Sequence, residues 1–81
     1  MFTNRAKSGR NNLCGSFIEM RRKQMGKSQR QLADMLQIAG LDLDKNAIQR
    51  IEAGKRFVTD IELVYFSRVL QVSLEQLLSE Q

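Results

Sequence analysis

Four polar side chains raise the question of chemistry: Lys45, Asn46, Gln49 and Arg50. On a helix their spacing places them on or near one outward face, opposite Ile48 and Ile51. These are the side-chain types that read bases. Arg and Lys donate to guanine acceptors, and Asn and Gln make paired bonds with adenine. A helix also has the width to enter the major groove of B-form DNA. Lys55 and Arg56 follow directly, and Gln29 and Arg30 stand at the start of the preceding helix, whose backbone amides can hold a phosphate. Other chemistries lack their residues. The chain has no histidine, which removes the usual general base, metal ligand and pH switch. Its one cysteine, Cys14, cannot form an intrachain disulfide or a Cys-rich metal site. No phosphate-cradling loop is present. No enzyme, metal or cofactor is expected.

The elements that must position these residues read as helices. The chain contains no proline, and its apolar residues recur at three and four rather than two. Ser28-Gln29-Arg30-Gln31, Thr59-Asp60-Ile61-Glu62 and Ser73-Leu74-Glu75-Gln76 are capping-box patterns, each ahead of an apolar-periodic run. Five helices follow. The first spans 13–25, with Cys14, Ile18 and Met25 on one face and Gly26 as its stop; Ser16 offers a later start. The second spans 29–39, presents Leu32, Met35, Leu36 and Ala39, and stops at Gly40. The third spans 45–53, with Asp44 as N-cap, Ala47, Ile48 and Ile51 inward and Gly54 as its stop. The fourth spans 60–71, with Leu63, Phe66, Val69 and Leu70 inward. The fifth is short, 74–79, with Leu74, Leu77 and Leu78. Eighty-one residues make one small domain with a marginal core. Hydrophobic residues at 42% and charged residues at 27% are ordinary for a globular chain, with no run near the ~20 apolar residues of a membrane span and no signal peptide.

The net charge of +4 is unevenly spread. Residues 1–15 carry Arg5, Lys7 and Arg10 and no acid. Residues 21–56 carry nine basic residues against Asp34, Asp42, Asp44 and Glu52. Residues 60–81 carry Asp60, Glu62, Glu75 and Glu80 against Arg68 alone. The basic middle suits an anionic partner. Thr3 to Asn12 lack periodic apolar positions, so residues 1–12 read as a flexible basic arm, either entering a minor groove or simply unordered. The domain proper spans 13–79, with a C-terminal end at 80–81.

At this point the chain resembles a family, the helix-turn-helix DNA-binding domains of phage repressors and Cro proteins, the XRE family. The matching residues are Arg22, Gly26-Lys27-Ser28-Gln29, Gln31-Leu32-Ala33, the stretch Ala47-Ile48-Gln49-Arg50-Ile51-Glu52-Ala53-Gly54-Lys55-Arg56, and Val72-Ser73-Leu74-Glu75-Gln76-Leu77-Leu78. The likeness covers about residues 13–79. It implies an all-α, five-helix bundle of the lambda-repressor-like type with the third helix as reader. It implies base contacts from Lys45, Asn46, Gln49 and Arg50, and phosphate contacts from Gln29, Arg30, Lys55 and Arg56. It also implies a structural ion pair between Arg22 and Glu52. Two departures stand out: a lengthened turn between helices 2 and 3, into which Leu41 and Leu43 tuck, and Lys27 where the family usually has leucine.

The expected function is a sequence-specific regulator of transcription, a repressor binding double-stranded DNA as a homodimer, because one reading helix contacts few base pairs. The resemblance implies a cytoplasmic, bacterial or phage-encoded protein. The alternative is an interaction module of the same fold, antitoxin-like or coactivator-like, that holds a protein partner. Asp42 and Asp44 read as turn and cap residues rather than a cation site. Cys14, at an apolar position, reads as a buried inert thiol.

Overall fold

The computed structural model describes residues 9–79. Five helices succeed one another: α1 (Gly15–Gln24), α2 (Gln29–Ala39), α3 (Lys45–Glu52), α4 (Asp60–Leu70) and α5 (Leu74–Leu78). The three expected capping boxes are all formed. Ser28, Thr59 and Ser73 each accept from the third residue of their helix, and the side chains of Gln31, Glu62 and Gln76 reach back to the cap amide. Asp44 caps α3 by accepting from the Ala47 amide at 2.8 Å. These local contacts satisfy amides that a helix start otherwise leaves without partners.

The helices pack around Phe66, which is fully buried with Ile18, Leu32, Leu36, Ile48, Ile51, Leu70 and Leu77. α2 packs on α3 and α4, α1 on α3, α4 and α5, and α4 on α5. Thus α3 is held from behind by α1 and α2 and shows its other side to solvent.

Several boundaries and faces differ from the sequence reading. α1 begins at Gly15 rather than 13. Its cap position, Cys14, makes no side-chain cap bond; instead the Gly15 amide donates to Asn12 Oδ1 at 2.9 Å. Ala39 is exposed, because it ends α2 and turns away from the core. Leu74 and Leu78 are also exposed, while Leu77 is buried, because one and a half turns present a single position inward. The link between α2 and α3 is residues 40–44, as the expected helix bounds imply. Leu43 is buried and Leu41 packs against the core from this link. Residues 10–12, read as part of a flexible arm, make fixed hydrogen bonds to the end of α3; Arg5 and Lys7 lie outside the described residues.

Candidate nucleic-acid interface

α3 is built so that one stripe faces inward and the other is bare. Ile48 and Ile51 are wholly buried, whereas Lys45, Asn46, Gln49 and Arg50 are all exposed. None of these four side chains takes part in a hydrogen bond or ion pair among the described residues. The eight residues of α3 rise about 12 Å, comparable to the width of a B-form major groove. A shallow open depression of about 380 Å³ runs along this face, lined by Asp44, Asn46, Ala47, Arg50 and Arg56.

The flanking residues are placed less uniformly. Arg30 and Lys55 are exposed and make no side-chain bond among the described residues. Gln29, at the start of α2, donates through Nε2 to Glu52 Oε1 at 3.0 Å, which joins α2 to α3. Arg56 donates through Nη1 and Nη2 to the two carboxylate oxygens of Glu62, both at 2.9 Å, and through Nη1 to the Phe57 carbonyl. Its guanidinium is therefore already matched within the protein. The bond from Arg56 holds the Glu62 carboxyl below its ordinary range, helped by the Thr59 amide and opposed by burial.

Arg22 and Glu52 form a buried bidentate pair. Nε donates to Oε2 at 2.7 Å and Nη2 to Oε1 at 3.0 Å. Arg22 Nη1 donates to the Lys27 carbonyl at 2.8 Å, fixing the turn before α2. The bond to Glu52 raises the Arg22 pKa still further, so the guanidinium stays charged despite its burial. The position of Lys27 is thus used through its backbone.

The docking of residues 10–12 and the Arg56–Glu62 pair are not evident from the sequence. The first had one local signal, Asn12 immediately before the expected helix start, a preferred cap type. The second had the Thr59–Glu62 box, which turns the Glu62 carboxylate back toward the chain entering α4.

Among the described residues no helix is long and apolar enough to cross a membrane, and no group of three or more His, Cys, Asp or Glu could hold a metal ion. No curated protein matches the chain, and no solved structure does. A family model described as helix-turn-helix matches residues 18–77, from the middle of α1 through most of α5. The match spans the link between α2 and α3, the exposed face of α3 and the pair that anchors it: the chain belongs to the helix-turn-helix family of DNA-binding regulators.

Proposed function

We propose that this protein is a sequence-specific regulator of transcription, a repressor that binds double-stranded DNA as a homodimer with α3 in the major groove. The observation that carries the reading is how the cations are sorted. Six of the described ones are engaged within the fold. Arg10 donates to Glu52 O, Arg21 to Leu70 O, Arg22 pairs with Glu52, Lys23 with Glu19 and Arg56 with Glu62, and Arg68 lies over the Tyr65 ring. The other five, Lys27, Arg30, Lys45, Arg50 and Lys55, make no such side-chain contact among the described residues. All five fall between the turn before α2 and the turn after α3. A fold that pairs its cations elsewhere and leaves them bare along one motif is suited to a polyanion there.

In this reading Lys45, Asn46, Gln49 and Arg50 contact base edges, while Arg30, Lys55 and the Gln29 end of α2 contact phosphates. Arg56 would reach a phosphate only by sharing or leaving Glu62. Two copies on a two-fold site supply the base pairs that one short helix lacks. The likeness to phage repressors supports a bacterial or phage setting in the cytoplasm.

The test is selection of duplexes from a random library at near-physiological salt, followed by two variants. Arg50→Ala is expected to lower affinity for the selected site by about 1–3 kcal/mol and relax preference at one base pair. Lys55→Ala is expected to weaken all sequences alike and reduce the slope of log affinity against log salt by about 0.9. If both variants bind as the parent does, α3 is not the reader. If no sequence is enriched while a protein co-purifies tightly, the interaction-module reading takes over. Exposed Phe57 and Ile61 then become the first residues to test.

A further inference from the structure

We infer that Arg10, Asn11 and Asn12 form a strap that positions α3 for base reading, an inference that rests on the function proposed above. A helix leaves its last four carbonyls without partners inside the helix. At the end of α3, backbone amides serve three of them: Ala53 N donates to Gln49 O, Lys55 N to Arg50 O and Gly54 N to Ile51 O. The strap serves the fourth and continues beyond it. Arg10 Nη2 donates to Glu52 O at 2.6 Å, and Asn11 N to Gly54 O at 2.8 Å. Asn11 Nδ2 donates to Lys55 O at 3.1 Å. Asn12 Nδ2 donates to Ile51 O at 3.0 Å and to Arg56 O at 2.8 Å. Three consecutive residues thus hold the carbonyls of Ile51, Glu52, Gly54, Lys55 and Arg56. The Arg10 cation also sits at the negative end of the α3 dipole.

The fit is close on both sides. A Cβ on Gly54 would stand 2.6 Å from Arg10 Cζ. A Cβ on Gly15 would stand 2.1 Å from the Ile51 carbonyl oxygen and 2.7 Å from Arg10 Nη2. Gly15 has no positive φ, so its glycine is explained by this contact alone. Two glycines far apart in sequence therefore clear the space the strap occupies.

The location gives the strap its role. The gripped stretch follows Gln49 and Arg50 directly and contains Lys55. Base readout needs side chains held within about 0.5 Å of their productive positions. The strap fixes the backbone that sets those positions, and Asn12 ties it to α1 by accepting from Gly15 N. Arg10 is half-buried and commits its Nη2 to Glu52 O, while its Nε is buried without a partner, so its effect on binding differs in kind from that of a phosphate contact.

The experiment uses the full chain, the duplex selected by the parent and a scrambled duplex of equal length. Two variants are compared at a temperature where both keep the parent's far-ultraviolet circular dichroism. Asn12→Ser keeps an oxygen to cap α1, adds no charge and is too short to reach Ile51 O or Arg56 O. Arg10→Met keeps the stem and removes the donors. Each is expected to lower the ratio of selected to scrambled affinity by about tenfold with the salt slope unchanged. Hydrogen exchange at Ala53, Gly54 and Lys55 should speed up by about tenfold while Leu36 and Phe66 keep their protection. An unchanged ratio overturns the strap's positioning role, even with faster exchange. Equal loss on both duplexes, with the Arg10→Met slope reduced by about 0.9, overturns it in favour of a phosphate contact. A parent that selects no sequence refutes the DNA-reading function itself, whereas a selective parent with unaffected variants refutes the strap alone.

Discussion

Replacing Glu52 with alanine should be the most damaging polar-to-alanine change in this domain. The Glu52 carboxylate accepts from Arg22 Nε at 2.7 Å, Arg22 Nη2 at 3.0 Å and Gln29 Nε2 at 3.0 Å. The pair is buried, with side-chain exposures of 9% for Arg22 and 2% for Glu52, so water cannot replace what is lost. Removing one partner of a buried pair strands the other charge and costs about 3–5 kcal/mol. A domain of 81 residues has a total stability of about 4–12 kcal/mol at the usual value per residue. Glu52→Ala should therefore remove between a quarter and all of it. The same physics separates the worth of the pair from the cost of breaking it. In Arg22→Met with Glu52→Leu no charge is stranded, and buried pairs replaced by apolar residues are often neutral. The double variant should thus recover at least half of the single-variant loss. Urea melts by circular dichroism measure this. With a slope of about 1 kcal/mol per molar for so small a chain, a 3 kcal/mol loss moves the midpoint by about 3 M. If Arg22→Met and Glu52→Leu each cost under about 1 kcal/mol, or their costs simply add, the reasoning fails and the pair does not hold α1 to α3.

The Arg56–Glu62 pair predicts a pH effect. The folded Glu62 carboxyl titrates below its ordinary 4.5, so its contribution is complete above that value and is lost as pH falls through the folded value. Glu62→Gln should cost about 1 kcal/mol near neutrality, and the two proteins' stabilities should converge in acid; a gap that persists unchanged would refute the pair's role. Cys14 is buried and its thiol is pushed up to about 11, chiefly by that burial. Iodoacetamide at pH 8 should label it at least about a hundredfold more slowly in the folded protein than in urea, and rapid labelling of the folded form would show an open site. Gly15→Ala drives a Cβ into the Ile51 carbonyl and should cost more than about 2 kcal/mol. Gly26→Ala, with φ 70 and nothing within 4 Å, should cost only about 1 kcal/mol in thermal melts, and the reverse order would mean the strap yields easily.

Which features were legible in the sequence follows from how far apart the interacting residues lie. The caps at Ser28, Asp44, Thr59 and Ser73 could be read because each bond joins residues three apart. The outward stripe of α3 could be read because helical periodicity fixes it once Ile48 and Ile51 are inward. The Arg22–Glu52 contact spans 30 residues, and only the family resemblance suggested it. The strap was hidden for a different reason. Its acceptors are backbone carbonyls, which every residue carries, and they lie 39 to 44 residues away. An Arg-Asn-Asn run without apolar spacing looks the same whether it is free or docked. Arg56 shows the converse limit. Its charge and its place after α3 suggested a phosphate contact, but Glu62, turned back by its capping box, reaches it first.

Glu52 explains how so small a bundle can hold α3 in place. Its carboxylate takes Arg22 from α1 and Gln29 from α2, and its carbonyl takes Arg10 from the strap. Three segments therefore meet on one residue at the C-terminal end of α3. The other end of the helix is fixed more lightly, by the Asp44 cap and by Leu43 in the link of residues 40–44. Residues 40–44 link α2 to α3, and such a link constrains the second helix less than a direct turn would, so the angle of α3 must be set elsewhere. Here it is set from the far end, by charge-assisted bonds that are directional where apolar contacts are not. Gln49 and Arg50 lie next to that anchored end, whereas Lys45 and Asn46 lie next to the link. Under the proposed function, Gln49 and Arg50 would therefore be the better placed to discriminate between bases. Lys45 and Asn46 are held chiefly by the cap that starts the helix.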